Sequence, residues 1–197
     1  MRISRLPALA SAAALTLLAA TPAPAVLVEK LDLDGMVERA GSAVAVTVVD
    51  SRPATVKADG AELPVVVYSL RVEETLKGRL AADADRLARV SFLAVPGETK
   101  SDGLIRRSNL PELPALRVGG RYLLLLTAPS AIGLSSPVGL EQGVFRLTGK
   151  PGDETAENRL RNAGLFDGLE SLAPAGWTTG PLDYDHLAAA IRTLAAR

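Results

Sequence analysis

Few residues in this chain have chemistry to offer. His186 is the one imidazole and cysteine is absent, which excludes thiol nucleophiles, cysteine zinc sites, disulfides and any centre needing two imidazoles. A serine-type triad would have to gather Ser135 or Ser136 with His186 and with Asp183 or Asp185. The two aspartates have a simpler reading, because carboxylates at the start of a helix complement its positive end. His186 falls in the same first turn, on the side away from the apolar stripe, and is expected to be a solvated helix residue. A hydrolase centred on His186 stays as an alternative reading with that position against it.

The carboxylates divide in the same way. On a strand, Glu73 and Glu74 point to opposite faces, so the pair cannot flank one glycosidic bond. Glu74 has the phase of the buried face and is expected to reach water or to pair with Lys77 or Arg79. Asp32, Asp34 and Gly35 resemble the opening of a calcium loop, but the position of its closing glutamate is Ala43, which favours a helix cap. Gly139-Leu140-Glu141-Gln142-Gly143 lacks the strand-to-helix setting of a phosphate loop and suggests a bulge at Gly143. Neither a cofactor nor a metal is expected. Trp177 is expected to plug one end of a barrel rather than to anchor a partner.

The elements that must position these residues read mainly as strands. Leu31–Ala40 has helical spacing, with Asp32 or Asp34 as cap and Gly41 as stop. Ala43–Val49 alternates Val44, Val46 and Val48 onto one face and should end at Asp50-Ser51-Arg52-Pro53. Val65–Leu76 alternates apolar and polar residues and stops at Lys77-Gly78. Arg89–Val95 is a third strand, followed by a long polar loop from Glu98 to Pro114.

Arg121–Thr127, apolar on both faces, predicts a central strand, and Val138–Thr148 a further strand or strand pair. Glu154–Gly180 is hard to read, with Asn162–Phe166 a candidate sheet edge. Asp183–Ala196 is an amphipathic helix capped by Asp183, with a stripe of Tyr184, Leu187, Ala188, Ile191 and Leu194. This order lacks the strand–helix alternation of a parallel sheet. It predicts a closed or nearly closed antiparallel barrel of five to six strands, with a β-sandwich as the alternative.

Ahead of these elements, Arg2 and Arg5 precede an Ala- and Leu-rich run from Ala8 to Ala20, and Ala23-Pro24-Ala25 offers a cleavage site. That order predicts a signal peptide over residues 1–25, the run being shorter than the roughly 20 residues of a membrane-spanning helix. The remainder, 26–197, suits a single domain that is periplasmic or secreted. Basic and acidic residues number 22 each, without a long block of one sign, and aromatic content is 4%. Both argue against nucleic acid and, after cleavage, against an anionic membrane surface.

The order of Val44–Val49, Tyr68-Ser69-Leu70-Arg71-Val72-Glu73-Glu74-Thr75-Leu76-Lys77-Gly78, Val90–Val95 with Pro96-Gly97, Leu116-Arg117-Val118-Gly119-Gly120-Arg121-Tyr122-Leu123-Leu124 and Gly139–Phe145 is similar to a group of uncharacterised secreted bacterial proteins. Its middle, from about Val44 to Leu126, also resembles the netrin module and the tissue inhibitors of metalloproteinases. That resemblance implies an OB-type five-stranded barrel acting through its rim. The cysteines with which those inhibitors meet a protease have no counterpart here.

The expectation is an exported, non-catalytic binding module that meets a protein partner, with a secreted protease the most specific class, through the loops Pro96–Pro114 and Ala128–Pro137. Lys100, Asp102, Arg106, Arg107, Ser135 and Ser136 are the candidate contact residues. A carrier of a small ligand or envelope polymer is the alternative.

Overall fold

Alternating small and β-branched residues build the longest feature of the molecule, a hairpin of β1 (Ser42–Ala58) and β2 (Ala61–Gly78). The computed structural model describes residues 29–58, 60–94, 98–101, 104–107, 115–150 and 152–197, and the side chains of 98–101 and 104–107 are not part of that description. The expected signal peptide therefore lies outside the described residues.

β1 does not end at Asp50–Pro53 as expected; it continues to Ala58, with Pro53 opposite Val66. The reason is local. β6 (Arg121–Leu126) pairs with β1 only from Ser42 to Thr47, so beyond that point β1 is an edge strand, where a missing N–H is tolerated.

Around the hairpin, β3 (Leu87–Leu93), β7 (Val144–Lys150), β8 (Asp153–Glu157) and β9 (Leu182–Asp183) complete one antiparallel sheet in the order β3-β2-β1-β6-β7-β8-β9. The expected barrel is thus corrected to an open seven-stranded sheet, and the sandwich alternative fails because these strands share one ladder. β3 and β6 approach each other only through the connecting strip 134–137, by the isolated bridges Ser91 to Leu134 and Leu126 to Pro137.

β4 (Glu98–Ser101) and β5 (Leu104–Arg107) form a separate two-stranded ladder within the segment expected to be a loop. Val138–Thr148 also departs from expectation. A 3-10 turn, Leu140–Gly143, precedes β7, and Gly143 ends that turn rather than forming a bulge. A Cβ there would lie 2.6 Å from the Val138 carbonyl oxygen.

Both faces of the sheet are buried, so the molecule has two cores. Val44, Val46, Val48, Tyr68, Leu70, Val72, Val90, Phe92, Leu124 and Leu126 fill the concave side of the curled strands. On the other side, Ala43, Ala45, Leu123, Leu125 and Phe145 pack against α1 (Leu33–Arg39) and α2 (Tyr184–Ala195). β6 serves both cores, which is why it carries four consecutive leucines.

Both helices start as the sequence predicts. Asp32 accepts from the Gly35 N–H, and Asp183 accepts from the His186 N–H. Among the described residues no helix is long and apolar enough to cross a membrane.

Between β8 and β9 the chain runs through turns rather than an edge strand at Asn162–Phe166. Asn158 and Asn162 exchange backbone-to-side-chain hydrogen bonds, and the Asn162 amide also donates to the carbonyls of Ala156 and Gly180. Gln142 extends this buried network to the backbone of Glu29 and Leu31. These amides hold the start of the described chain and the turn segment onto the helix-covered core.

Candidate functional site

At one end of the sheet the chain makes a very close backbone approach. Gly78 has φ of +62°, and a Cβ there would lie 2.0 Å from the Gly41 carbonyl oxygen, so only glycine serves. A Cβ on Gly41 would in turn meet the backbone of Ala128 at 2.7 Å. Gly41 and Ala128 of this junction, where β1 begins and β2 ends, line a cleft of about 360 Å³.

Arg79, Leu80 and Ala81 form one wall of the cleft, Arg89 and Val90 of β3 another, and the loop from Thr127 to Ser135 a third. Ser42 and Ser135 also line it, with 5% and 7% of their surfaces exposed. Neither hydroxyl is a buried group lacking a partner; among the described residues that holds of Glu157 Oε1. Arg79 and Arg89 are exposed and are the only ionisable residues in the lining.

A second polar cluster lies on the helix-covered face, and a bulge creates it. Val46 pairs with Val72 and Ala45 with Glu74, which leaves Glu73 as an extra residue in β2. A bulge of this kind turns two successive side chains to the same face. The expectation that Glu73 and Glu74 face opposite ways is therefore overturned.

Glu73 accepts from Arg121 Nε at 3.0 Å and from the Thr47 hydroxyl. Arg121 also donates to Glu154, which is 7% exposed. Glu74 accepts from the Tyr184 hydroxyl and pairs with Arg192, not with Lys77 or Arg79. Lys77 donates instead to the Val37 carbonyl.

These contacts set the proton affinities. Burial raises the Glu73 carboxyl, but the hydrogen bonds from Arg121 and Thr47 and the arginine charge outweigh it and hold the group below the usual carboxylate range. Burial, together with the adjacent Glu74 carboxylate, pushes the Tyr184 phenol well above its usual value. With its charges answered within the cluster, this network ties α2 to β2, β6 and β8.

The remaining chemistry-bearing residues have structural partners. His186 is half-buried, not solvated: its Nε2 lies 2.7 Å from the Leu172 carbonyl oxygen and its ring packs edge-on against Phe166. Trp177 packs against the same Phe166 at a centroid distance of 5.5 Å and donates to the Pro181 carbonyl. It covers the helix-side core and does not plug a barrel. Beside it lies an open pocket of about 360 Å³, lined by Phe166, Asp167, Glu170 and Trp177 among others.

Of the candidate contact residues, Ser135 and Ser136 belong to the strip that joins β3 to β6. The Ser135 N–H donates to the Ser91 carbonyl, the Ser136 carbonyl accepts from the Thr127 N–H, and the Ser136 N–H donates to the Thr127 hydroxyl. Ser135 lines the cleft; Ser136 does not. Lys100 pairs with Ile105 and Arg106 with Thr99 in the β4–β5 ladder, and Arg107 pairs with Glu98 there. Asp102 lies outside the described residues.

Sequence reasoning missed Ser42, Arg89 and the whole Arg121 network. The one available signal was Arg121 directly after Gly119-Gly120 at the head of an otherwise apolar strand, a position that has to find a counter-charge. Among the described residues no group of three or more histidine, aspartate or glutamate side chains is arranged to hold a metal ion. No protein-family model matches the sequence, and no curated protein matches it either.

Proposed function

We propose that the chain is an exported, non-catalytic binding module that captures a protein partner at the cleft end of its sheet. The observation that carries this reading is the cleft itself, about 360 Å³ between the start of β1, the β2–β3 connection and the 127–135 loop. It borders the close-packed backbone junction of Gly41, Gly78 and Ala128. A rigid concavity at the meeting point of several connections is the kind of surface on which binding is built.

Two further features support a non-catalytic role. The carboxylates best placed for acid–base chemistry, Glu73 and Glu154, are engaged by Arg121. His186 is engaged by a backbone carbonyl and an aromatic edge, without a nucleophile in its hydrogen-bond set. Export rests on the basic, apolar and small-residue order of the first 25 residues. A secreted protease is the most specific partner class, from the resemblance to the netrin module and metalloproteinase inhibitors; the curled part of the sheet, β3-β2-β1-β6, would be the counterpart of their OB-type barrel.

Capture from envelope extract and culture supernatant, by cross-linking and mass spectrometry, tests the reading. Ala81→Trp fills the cleft mouth and should abolish capture of the partner that the unaltered chain enriches, while leaving the melting temperature unchanged. Capture that survives Ala81→Trp but is lost on deleting Lys100–Arg107 would move the docking surface to the β4–β5 hairpin.

The pocket beside Trp177 favours a second reading, a carrier of a small ligand, because aromatic and carboxylate groups line it together. A thermal-shift screen against glycans and lipids, repeated with Trp177→Ala, separates the two.

A further inference from the structure

Resting on the reading of the cleft as a docking site, we infer that it selects a carboxylate-bearing segment of the partner protein. On this proposal the carboxylate seats against the Ser42 and Ser135 hydroxyls, and Arg79 and Arg89 hold the negative charge at the mouth.

Burial and charge point the same way. Ser42 and Ser135 are each more than nine-tenths buried and line the cleft. A serine hydroxyl facing a cleft can donate to a ligand that displaces solvent from it. The two guanidinium groups are the lining's only ionisable groups, so among the described residues the cleft wall is electropositive with no carboxylate in it.

Arginine recognises carboxylates through two parallel N–H donors, and hydroxyls add directional donors that a bare positive patch lacks. Leu80, Val90, Ala128 and Pro129 supply apolar surface between these donors. That combination suits the stem of an acidic side chain or a chain terminus better than a free inorganic anion. Ser42, next to Gly41 of the close-packed Gly41–Gly78–Ala128 junction, has its backbone fixed by pairing with Gly78 and Leu126.

The test is a titration of the ¹⁵N-labelled chain with the peptide Gly-Gly-Glu-Glu-Gly-Gly, amidated at its C-terminus, and with its Gln-Gln counterpart, followed by amide chemical shifts. A fluorescein-labelled version gives affinities by anisotropy. The acidic peptide should shift the amides of Ser42, Leu80, Ala128 and Ser135 saturably, and the Gln-Gln peptide should not. Arg79→Gln with Arg89→Gln should weaken the acidic peptide at least tenfold without moving the melting temperature.

Absence of shifts, equal shifts from both peptides, or unaltered affinity in the double variant would each overturn the proposal. So would inorganic phosphate binding the same amides more tightly than the acidic peptide, because the occupant would then be a free anion. The two readings fail separately. Ala81→Trp blocking capture while the acidic peptide stays silent leaves a docking cleft of different chemistry. Peptide binding with capture indifferent to Ala81→Trp leaves a carboxylate site that is not the docking surface.

Discussion

On the helix-covered face of the sheet, Arg121 divides its guanidinium between Glu73 and Glu154, Thr47 donates to the first of these, and Tyr184 and Arg192 answer Glu74. At the cleft end, two mostly buried serines line a concavity that two arginines border, and no carboxylate stands among its described lining residues. Both regions grow from the same two strands, since Glu73 and Glu74 stand a few residues before Gly78 and Arg79. The difference teaches where polarity is structural and where it is kept for a ligand. Charges that close on one another stabilise and specify an arrangement, whereas polar groups that border a cleft are free to meet a ligand.

The largest effect should come from breaking the closed network. Arg121→Met keeps the apolar stem but leaves Glu154, 7% exposed, without its counter-charge. Removing one partner of a buried pair is costly, and with the Arg121 side chain 32% exposed the expected loss is about 3 kcal/mol. Urea denaturation measures it as a lower midpoint. Adding Glu154→Gln to Arg121→Met removes the stranded charge and should recover about half of that loss. Affinity for the acidic peptide, measured well below the melting temperature, should not change. A loss of peptide binding in Arg121→Met would mean that the two regions are coupled.

Titration sharpens the comparison from a second side. The Glu73 carboxyl sits below its ordinary value of 4.5 in the folded chain, so its contribution is complete above that pH and is lost as pH falls further. Tyr184 is shifted the other way. Its phenol lies above its ordinary value of 10.0, so its contribution is complete below pH 10 and is lost as pH rises beyond it. Glu73→Gln should therefore flatten the acid limb of the stability profile and Tyr184→Phe the alkaline limb. Tyr184→Phe should also cost about 1 to 2 kcal/mol at neutral pH, the worth of a hydrogen bond to a carboxylate. Thermal melts across the pH range read both, and limbs that survive the substitutions would assign the shifts to other groups.

What the sequence makes legible here is whatever depends on one element at a time. Asp183 followed by a stripe of Tyr184, Leu187, Ile191 and Leu194 specifies α2 because cap and periodicity are local, and the four leucines of β6 declare burial on both faces. The bulge at Glu73 is not local. Three polar residues in succession, Glu73, Glu74 and Thr75, interrupt the alternation there, but only the pairing of Ala45 with Glu74 and of Val46 with Val72 reveals which residue has been skipped.

The same holds for the open sheet. A run of antiparallel strands fits a barrel equally well until the partner of each edge is known, and here a strip of loop stands between β3 and β6. Ser42 gives no signal in sequence. Its importance comes from Gly41 and Gly78 bringing β1, β2 and the 127–135 loop together around it.

The smallest effect on stability is expected at that position and its counterpart. Ser42→Ala and Ser135→Ala each remove a hydroxyl of a cleft-lining residue and strand no charge. Each should change unfolding stability by no more than about 0.5 kcal/mol, in either direction. The backbone roles of both residues, in the β1–β2 and β1–β6 pairing and in the bond to Ser91, are untouched by the change. Peptide affinity should respond quite differently, falling about tenfold for each substitution if the hydroxyl donates to a carboxylate. Urea midpoints and anisotropy titrations on the same preparations make the contrast direct. A destabilisation approaching that of Arg121→Met would place these hydroxyls among the structural contacts, and the distinction between a closed polar network and an open one would fail where it matters most.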